Sequence, residues 1–113
     1  MWYAIEGHDA EAALPKRLAV RQQHLARLHE LREQGRLLLA GPCPAIDAED
    51  PGEAGYSGSI VIAEFDSLAA ARAWDDLITH LSHPLIRRGF TLQPLDTEGV
   101  GPWRRMQCSS SPA

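Results

Sequence analysis

A histidine and two arginines occupy positions on a predicted helix where apolar side chains would be expected. Residues 16–34 have the composition of a helix. At 100° per residue its leucines fall on one face, which comprises Leu14, Leu18, Leu25, Leu28 and Leu31. Arg17, Arg21 and His24 fall within the same apolar arc. Because polar groups that face a core need partners or a cavity, this pattern predicts a small polar pocket beneath the helix.

The polar side chains of this arc are suited to acid–base chemistry and to the binding of anions. Imidazole titrates near neutral pH, so His24 could act as a general acid or base; the alternative is a core histidine bonded to a backbone carbonyl. Guanidinium groups suit carboxylates, so Arg17 and Arg21 could bind an anionic ligand. The alternative for both is a salt bridge to an acidic residue of a partner chain or an aliphatic stem packed on apolar surface, and for Arg17 this alternative is our prediction.

The elements around this helix indicate how it is positioned. Apolar patterning predicts four strands and a second helix, at residues 2–7, 36–41, 59–65 and 90–95 and at residues 68–81 respectively. Ser67 is suited to cap the second helix and Gly35 to end the first. The order strand, helix, strand, strand, helix, strand predicts an α+β, ferredoxin-like βαββαβ fold, with an antiparallel sheet and both helices on one face.

The domain organisation follows from the same patterns. We assign residues 1–96 to one ferredoxin-like domain and residues 97–113, which turn to Gly, Pro and Ser, to a partly disordered C-terminal tail. Residues 44–58 are rich in Pro, Gly, Asp and Glu and predict a surface loop.

The strands are apolar on both faces, which predicts a homodimer. In the third strand Val61, Ala63 and Phe65 alternate with Ile60 and Ile62. The second strand alternates in the same way, with Leu37 and Leu39 on one side and Leu38 and Ala40 on the other. Helices cover only one face of this fold, so the other face must be buried elsewhere. Stacking on the sheet of a second copy is the most economical solution.

Composition excludes several classes of function. The chain has 113 residues and a formal net charge of −4, with no dense basic cluster, so we expect no nucleic-acid partner. No apolar run reaches the roughly 18 residues of a membrane span, and the first residues do not have the pattern of a signal peptide, so we expect no membrane association. Cys43 and Cys108 are too few for a disulfide framework or a zinc site, which favours a cytoplasmic location.

Three segments resemble the YciI-like (YCII domain) family, and the resemblance as a whole covers roughly residues 1–76 without a gap. They are KRLAVRQQHLARL at residues 16–28, GRLLLAGPCPAID at residues 35–47, and GYSGSIVIAEF at residues 55–65, the last followed by an Ala-rich helix with Trp74. The resemblance implies a ferredoxin-like domain that dimerises into an α+β barrel. It also implies a pocket role for His24, which matches the histidine of the family's proposed active site.

The same resemblance implies an aspartate in an Asp-Pro step after the second helix, and here the sequence departs from the family. His83-Pro84 stands at that position, behind an insertion that lengthens the helix. Three residues are therefore candidates for the partner of His24: Asp75, Asp76 and His83.

Two further residues are candidates for ligand binding. Ser59 begins the third strand and could donate a hydrogen bond into the pocket; the alternative is an ordinary serine at the start of a strand. Pro42, at the end of the second strand, would lie near the pocket and chiefly shape its backbone. His80 and His83 lack a third ligand of suitable spacing, so we expect no metal.

Two functions of different class are consistent with these residues. In the first, the protein is a cofactor-independent enzyme in which His24 moves a proton on a small organic substrate that Arg21 and Ser59 orient. The resemblance implies chemistry of the lyase or isomerase type. In the second, the protein is a non-catalytic dimeric module that binds a small ligand or a partner and has lost the family's His–Asp pair.

Overall fold

The computed structural model describes residues 1–82 and 86–96, without the side chains of residues 77–82. His83 and the predicted tail of residues 97–113 lie outside the described residues. The described elements are β1 (Trp2–Asp9), α1 (Leu14–Glu33), β2 (Leu37–Pro44), a short 3-10 turn (Gly52–Ala54), β3 (Tyr56–Glu64), α2 (Leu68–Ser82) and β4 (Arg87–Leu95).

The four strands form one antiparallel sheet in the order β2-β3-β1-β4. This order, with the two helices in the first and third connections of the sheet, is the ferredoxin-like α+β fold that the sequence predicts. In the part of the chain that the structure describes, no helix is long and apolar enough to cross a membrane.

The local sequence explains where α2 begins and where α1 ends. The backbone N–H of Ala70 donates to the hydroxyl of Ser67, which therefore caps α2 as predicted. Helix α1 ends at Glu33, and Gly35 just beyond its C-cap has a φ of 71°, in the left-handed region. There the N–H groups of Gly35 and Arg36 donate to the carbonyls of Arg32 and Leu31, the pattern of a Schellman motif.

The core lies between the helices and one face of the sheet. Its buried members are Tyr3, Ile5, Leu31, Ala63, Phe65 and Ala71, with Trp74 and Leu92 among the partly buried side chains packed against them. The rings of Tyr3, Phe65 and Trp74 follow one another, with centroids 6.3 and 5.6 Å apart. Because strands and both helices contribute to this cluster, α1 and α2 lie on the same face of the sheet.

The opposite face of the sheet carries apolar side chains that neither α1 nor α2 covers. Ala4, Ile62 and Leu39 are cross-strand neighbours on β1, β3 and β2. Leu39 is 48% exposed. We call the surface formed by Ala4, Leu39, Ile60 and Ile62 the open face.

A bulge in β2 corrects the predicted alternation of that strand. Leu37 lies opposite Ala63, whereas Leu39, two residues further along β2, lies opposite Ile62, only one residue away from Ala63 on the antiparallel β3. One extra residue, Leu38, is thus accommodated, and Leu39 and Leu37 face opposite sides of the sheet instead of the same side. The bulge also turns Ala40 toward α1.

Strand ends differ from the predicted ones. Strand β2 continues through Pro42 to Pro44, because an edge strand pairs on one side only and tolerates residues without an N–H group. Strands β3 and β4 each begin three residues before the prediction, and β1 runs two residues further, to Asp9.

Candidate functional site

A cavity of about 220 Å³ lies between α1 and the sheet. Helix α1 packs closely at its C-terminal end, where Leu31 is 2% exposed in the core. Toward its N-terminal end Leu18 and Leu25 line the cavity and remain 58% and 41% exposed. The apolar face of α1 is therefore only partly packed on the sheet, and the space left beneath it is where the sequence predicts a pocket.

The cavity brings together residues from four elements that the sequence proposes for the site: His24, Arg21, Ser59, Pro42 and Asp75. Asp76 is exposed and does not line the cavity, because consecutive residues of a helix point about 100° apart. Of these two carboxylates, Asp75 is thus the one that lines the cavity. His83 lies outside the described residues.

Most of the remaining wall is apolar. Val61 and Ile5 contribute from the sheet, Trp74 from α2, and Leu28 from α1. Ala40, turned toward α1 by the bulge, completes this surface. An apolar wall with a few polar groups is the usual composition of a site for a small organic molecule.

Arg17 lies at one side of the cavity and is paired within its own chain. Its Nε and Nη2 atoms donate to the two carboxylate oxygens of Asp9, at 2.5 and 2.9 Å. The guanidinium also lies 5.4 Å from the centroid of the Tyr56 ring. A counterion for Arg17 is therefore supplied by its own chain, because β1 extends far enough to provide Asp9.

A second bidentate ion pair joins α2 to β4. Nη1 and Nη2 of Arg87 donate to the two carboxylate oxygens of Asp75, each at 2.9 Å. Asp75 is only 1% exposed, and Arg87 stacks on the ring of Phe90 with 4.7 Å to its centroid. A buried carboxylate requires such a partner, since its desolvation is costly.

Gly7 makes room for Arg87. A Cβ atom at this position would lie 3.0 Å from Nε of Arg87, tighter than an ordinary van der Waals contact. Gly7 itself lines the cavity on β1. The absence of a side chain at residue 7 therefore allows the Asp75–Arg87 pair to lie across the strand at the edge of the cavity.

The surroundings of His24 favour its neutral form. Burial lowers the pKa of its imidazole below the ordinary value of 6.5, and the positive charges of Arg17 and Arg87 lower it further. An imidazole in its neutral form can accept a proton, so these surroundings suit His24 to the role of a base.

Three polar side chains of the lining make no hydrogen bond to any of the residues that the structure describes: Arg21, Tyr56 and Ser59. Their donors are available to a molecule in the cavity.

In residues 1–82 and 86–96 no group of three or more His, Cys, Asp or Glu side chains could hold a metal ion.

Sequence reasoning missed Asp9, Tyr56 and Arg87. All three lie within strands but outside the predicted strand limits, at the end of β1 and at the starts of β3 and β4. The signal that could have found Asp9 and Arg87 is the presence of Arg17 and Asp75 on helix faces directed at the sheet, since each buried charge needs an opposite one.

Comparison with known proteins assigns the chain to a family. The YCII-related domain matches residues 1–80. The chain is 59% identical to Protein YciI of Escherichia coli over 76 residues, which cover 67% of this chain and 78% of that protein. It is 58% identical to an uncharacterised protein of Haemophilus influenzae over 74 residues, which cover 66% and 76% of the two chains.

A solved structure shares the fold. The enzyme 5-chloro-2-hydroxyhydroquinone dehydrochlorinase (TftG) of Burkholderia phenoliruptrix, in complex with 2,5-dihydroxybenzoquinone, superposes with a TM-score of 0.69 and 19% identity. The match covers 85% of this chain and 94% of that one. With a family match over most of its length and close relatives at more than half identity, the chain belongs to the YCII-related domain family.

Proposed function

We propose that the protein is a cofactor-independent enzyme that moves a proton on a small ring-containing substrate, with His24 as the base. The observation that carries this proposal is a histidine in the wall of a largely apolar cavity, where burial and two nearby arginines lower the pKa of its imidazole. A base of this kind works best when its unprotonated form predominates at the working pH.

The size of the cavity suits a single ring. An apolar cavity of roughly 150 Å³ holds benzene. The cavity beneath α1, at about 220 Å³, leaves space for a ring with small substituents. The hydroxyl of Ser59 and the guanidinium of Arg21 are the groups that orient such substituents.

The proposed step begins when His24 accepts a proton from an O–H or C–H group of the substrate. The electron pair that is released forms a new double bond in the substrate. It either expels a leaving group, which is an elimination, or is protonated again at another carbon, which is an isomerisation. The dehydrochlorinase with the same fold, bound to a dihydroxybenzoquinone, supports chemistry of the first kind.

We further propose that the functional unit is a homodimer formed through the open face. Leu39 and Ile62 present apolar surface on a sheet face that neither helix covers. Two such faces stacked on each other would bury this surface. The family resemblance to dimeric α+β barrels supports the same arrangement.

Deuterium exchange tests the catalytic proposal without knowledge of the natural substrate. Hydroxyquinol is incubated with the protein in D₂O, and incorporation of deuterium at its ring carbons is followed by NMR. We expect the wild-type protein and the His29→Gln variant to accelerate exchange, and the His24→Gln variant not to. His29 is a matched control because it is exposed on the same helix and does not line the cavity. Equal rates for the wild type and His24→Gln would overturn the proposal.

One observation favours the alternative, a binding module without catalysis. Both carboxylate oxygens of Asp75 accept from Arg87, so the positive charge of an arginine lies directly against the carboxylate of the predicted His–Asp pair. Saturable binding of hydroxyquinol with no exchange above the uncatalysed rate would support this alternative.

A further inference from the structure

We infer that the cavity selects small aromatic monoanions, and that Arg21 is the residue that determines this specificity. The inference deepens the proposed function and rests on it in one respect, namely that the cavity takes a single-ring compound. It concerns the charge of that compound, which the proton-transfer step does not fix.

The charge balance of the cavity wall is the first observation. Among the described residues, three arginines and two aspartates line the cavity: Arg17, Arg21, Arg87, Asp9 and Asp75. Arg17 forms a bidentate ion pair with Asp9, and Arg87 forms one with Asp75, so these four charges cancel in pairs. One positive charge remains in excess, and His24 adds none in its neutral form. The chain as a whole carries a net charge of −4, so this excess is a local property of the cavity.

The position of that excess charge is the second observation. Arg21 lines the cavity on α1, one turn from His24, and is itself exposed to solvent. It makes no ion pair or hydrogen bond with the residues that the structure describes. A guanidinium presents a planar fork of donors that matches a carboxylate. Arg21 is therefore free to bind the charged end of a molecule whose ring lies within.

The apolar wall supplies the third observation. Leu18 and Leu25, which flank Arg21 on α1 at three and four residues, line the cavity while remaining exposed. Apolar side chains on both sides of one unpaired cation form a surface for an amphiphilic molecule, with its ring against the leucines and its anion on Arg21. A neutral ring would bury the same apolar area and leave Arg21 without a partner.

Benzoate and benzamide test the inference, since they share shape and differ in charge. Their affinities are measured by isothermal titration calorimetry at low ionic strength. For the wild-type protein we expect benzoate to bind about tenfold more tightly than benzamide, the effect of one charged hydrogen-bonded pair at a partly exposed site. For Arg21→Gln we expect this preference to disappear, chiefly because benzoate binds more weakly.

Two variants control the measurement. Arg32→Gln removes an exposed charge from the same helix at a position outside the cavity wall, and should keep the preference for benzoate. Arg21→Lys keeps the charge without the planar fork and should keep part of the preference. Circular dichroism checks that each variant is folded. Equal affinities for benzoate and benzamide in the wild type, or an unchanged preference in Arg21→Gln, would overturn the inference.

The binding test separates this inference from the proposed function. If His24 is required for deuterium exchange but benzoate has no advantage over benzamide, the catalytic proposal stands and the inference fails. If Arg21 determines a preference for benzoate but the protein catalyses no exchange, the inference about ligand class stands and the catalytic proposal fails.

Discussion

Arg87 of β4 donates two hydrogen bonds of 2.9 Å, one to each carboxylate oxygen of Asp75 on α2, at the edge of the cavity beneath α1. This pair ties the second helix to the last strand. It also brings a positive charge near His24, and that charge contributes to the lowered pKa of the imidazole. The same contact therefore serves the fold and the electrostatics of the site.

Removal of one member of this pair should destabilise the protein. Asp75→Asn leaves Arg87, whose side chain is only 15% exposed, without its full countercharge. We expect the free energy of unfolding to fall by about 3 kcal/mol, the lower end of the cost of breaking a buried ion pair. Urea denaturation measures it. Asp76→Asn, at the exposed neighbouring position, should change it by less than about 0.5 kcal/mol. Equal effects of the two substitutions would contradict the structural role of Asp75.

Substitution of Gly7 should disturb the same pair from the opposite side. A Cβ atom at residue 7 would press on Nε of Arg87, so we expect Gly7→Ala to cost roughly 1–2 kcal/mol of stability. Gly41→Ala is the matched control on β2, because nothing lies within 4 Å of its added Cβ atom, and it should be close to neutral. If the two variants unfold at the same urea concentration, Gly7 is not needed for the placement of Arg87.

The lowered pKa of His24 predicts how stability depends on pH. In the unfolded chain this histidine protonates near its ordinary value of 6.5, whereas the folded state resists protonation to a lower pH. As the pH falls through this window the unfolded state binds more protons, so the stability of the folded state decreases. At pH values well above 6.5 His24 is neutral in both states, and it makes no contribution to the pH dependence of stability.

This dependence is measured by comparing variants in urea at about pH 7.5 and about pH 5.5, on either side of the ordinary histidine pKa. His24→Gln should lose less stability on acidification than the wild-type protein, and His29→Gln should behave like the wild type. A His24→Gln variant with the full acid sensitivity of the wild type would show that the folded state does not disfavour the imidazolium of His24.

The proposed dimer predicts a change of mass on substitution of the open face. The chain has a mass of 12.4 kDa, and light scattering should give twice that value for the wild-type protein. Leu39→Glu should give a folded monomer, because Leu39 is already 48% exposed within one chain. Ile46→Glu, at a 53% exposed position outside the strands, should remain dimeric. A wild-type mass of one chain would contradict the proposed dimer.

Local pattern was sufficient to predict the order of the elements and the pocket beneath α1. The arc of Arg17, Arg21 and His24 on an apolar helix face indicated where polar groups must be accommodated, and the cavity lies there. The partners of the two paired arginines were not predictable in the same way. Asp9 and Arg87 lie at strand ends, and these ends are set by pairing with neighbouring strands, not by the residues themselves.

The bulge at Leu38 shows the same limit. Strict alternation predicts that Leu37 and Leu39 share a face, and nothing in the sequence of four consecutive apolar residues marks the extra one. Its effect on the site is large, since it turns Ala40 toward the cavity and Leu39 toward the open face. Both surfaces on which the proposals depend are thus shaped by a feature of strand pairing.

The central claim, that His24 is a neutral base in contact with the ligand, is tested most directly by NMR titration of its imidazole. In protein labelled at histidine, the resonances of His24 and His29 are assigned from the two glutamine variants and followed as the pH and then the concentration of hydroxyquinol are changed. We predict a midpoint for His24 below 6.5 and a saturable shift of its resonance on addition of hydroxyquinol, with no shift at His29. A midpoint at or above 6.5 together with a resonance that hydroxyquinol leaves unmoved would contradict the claim.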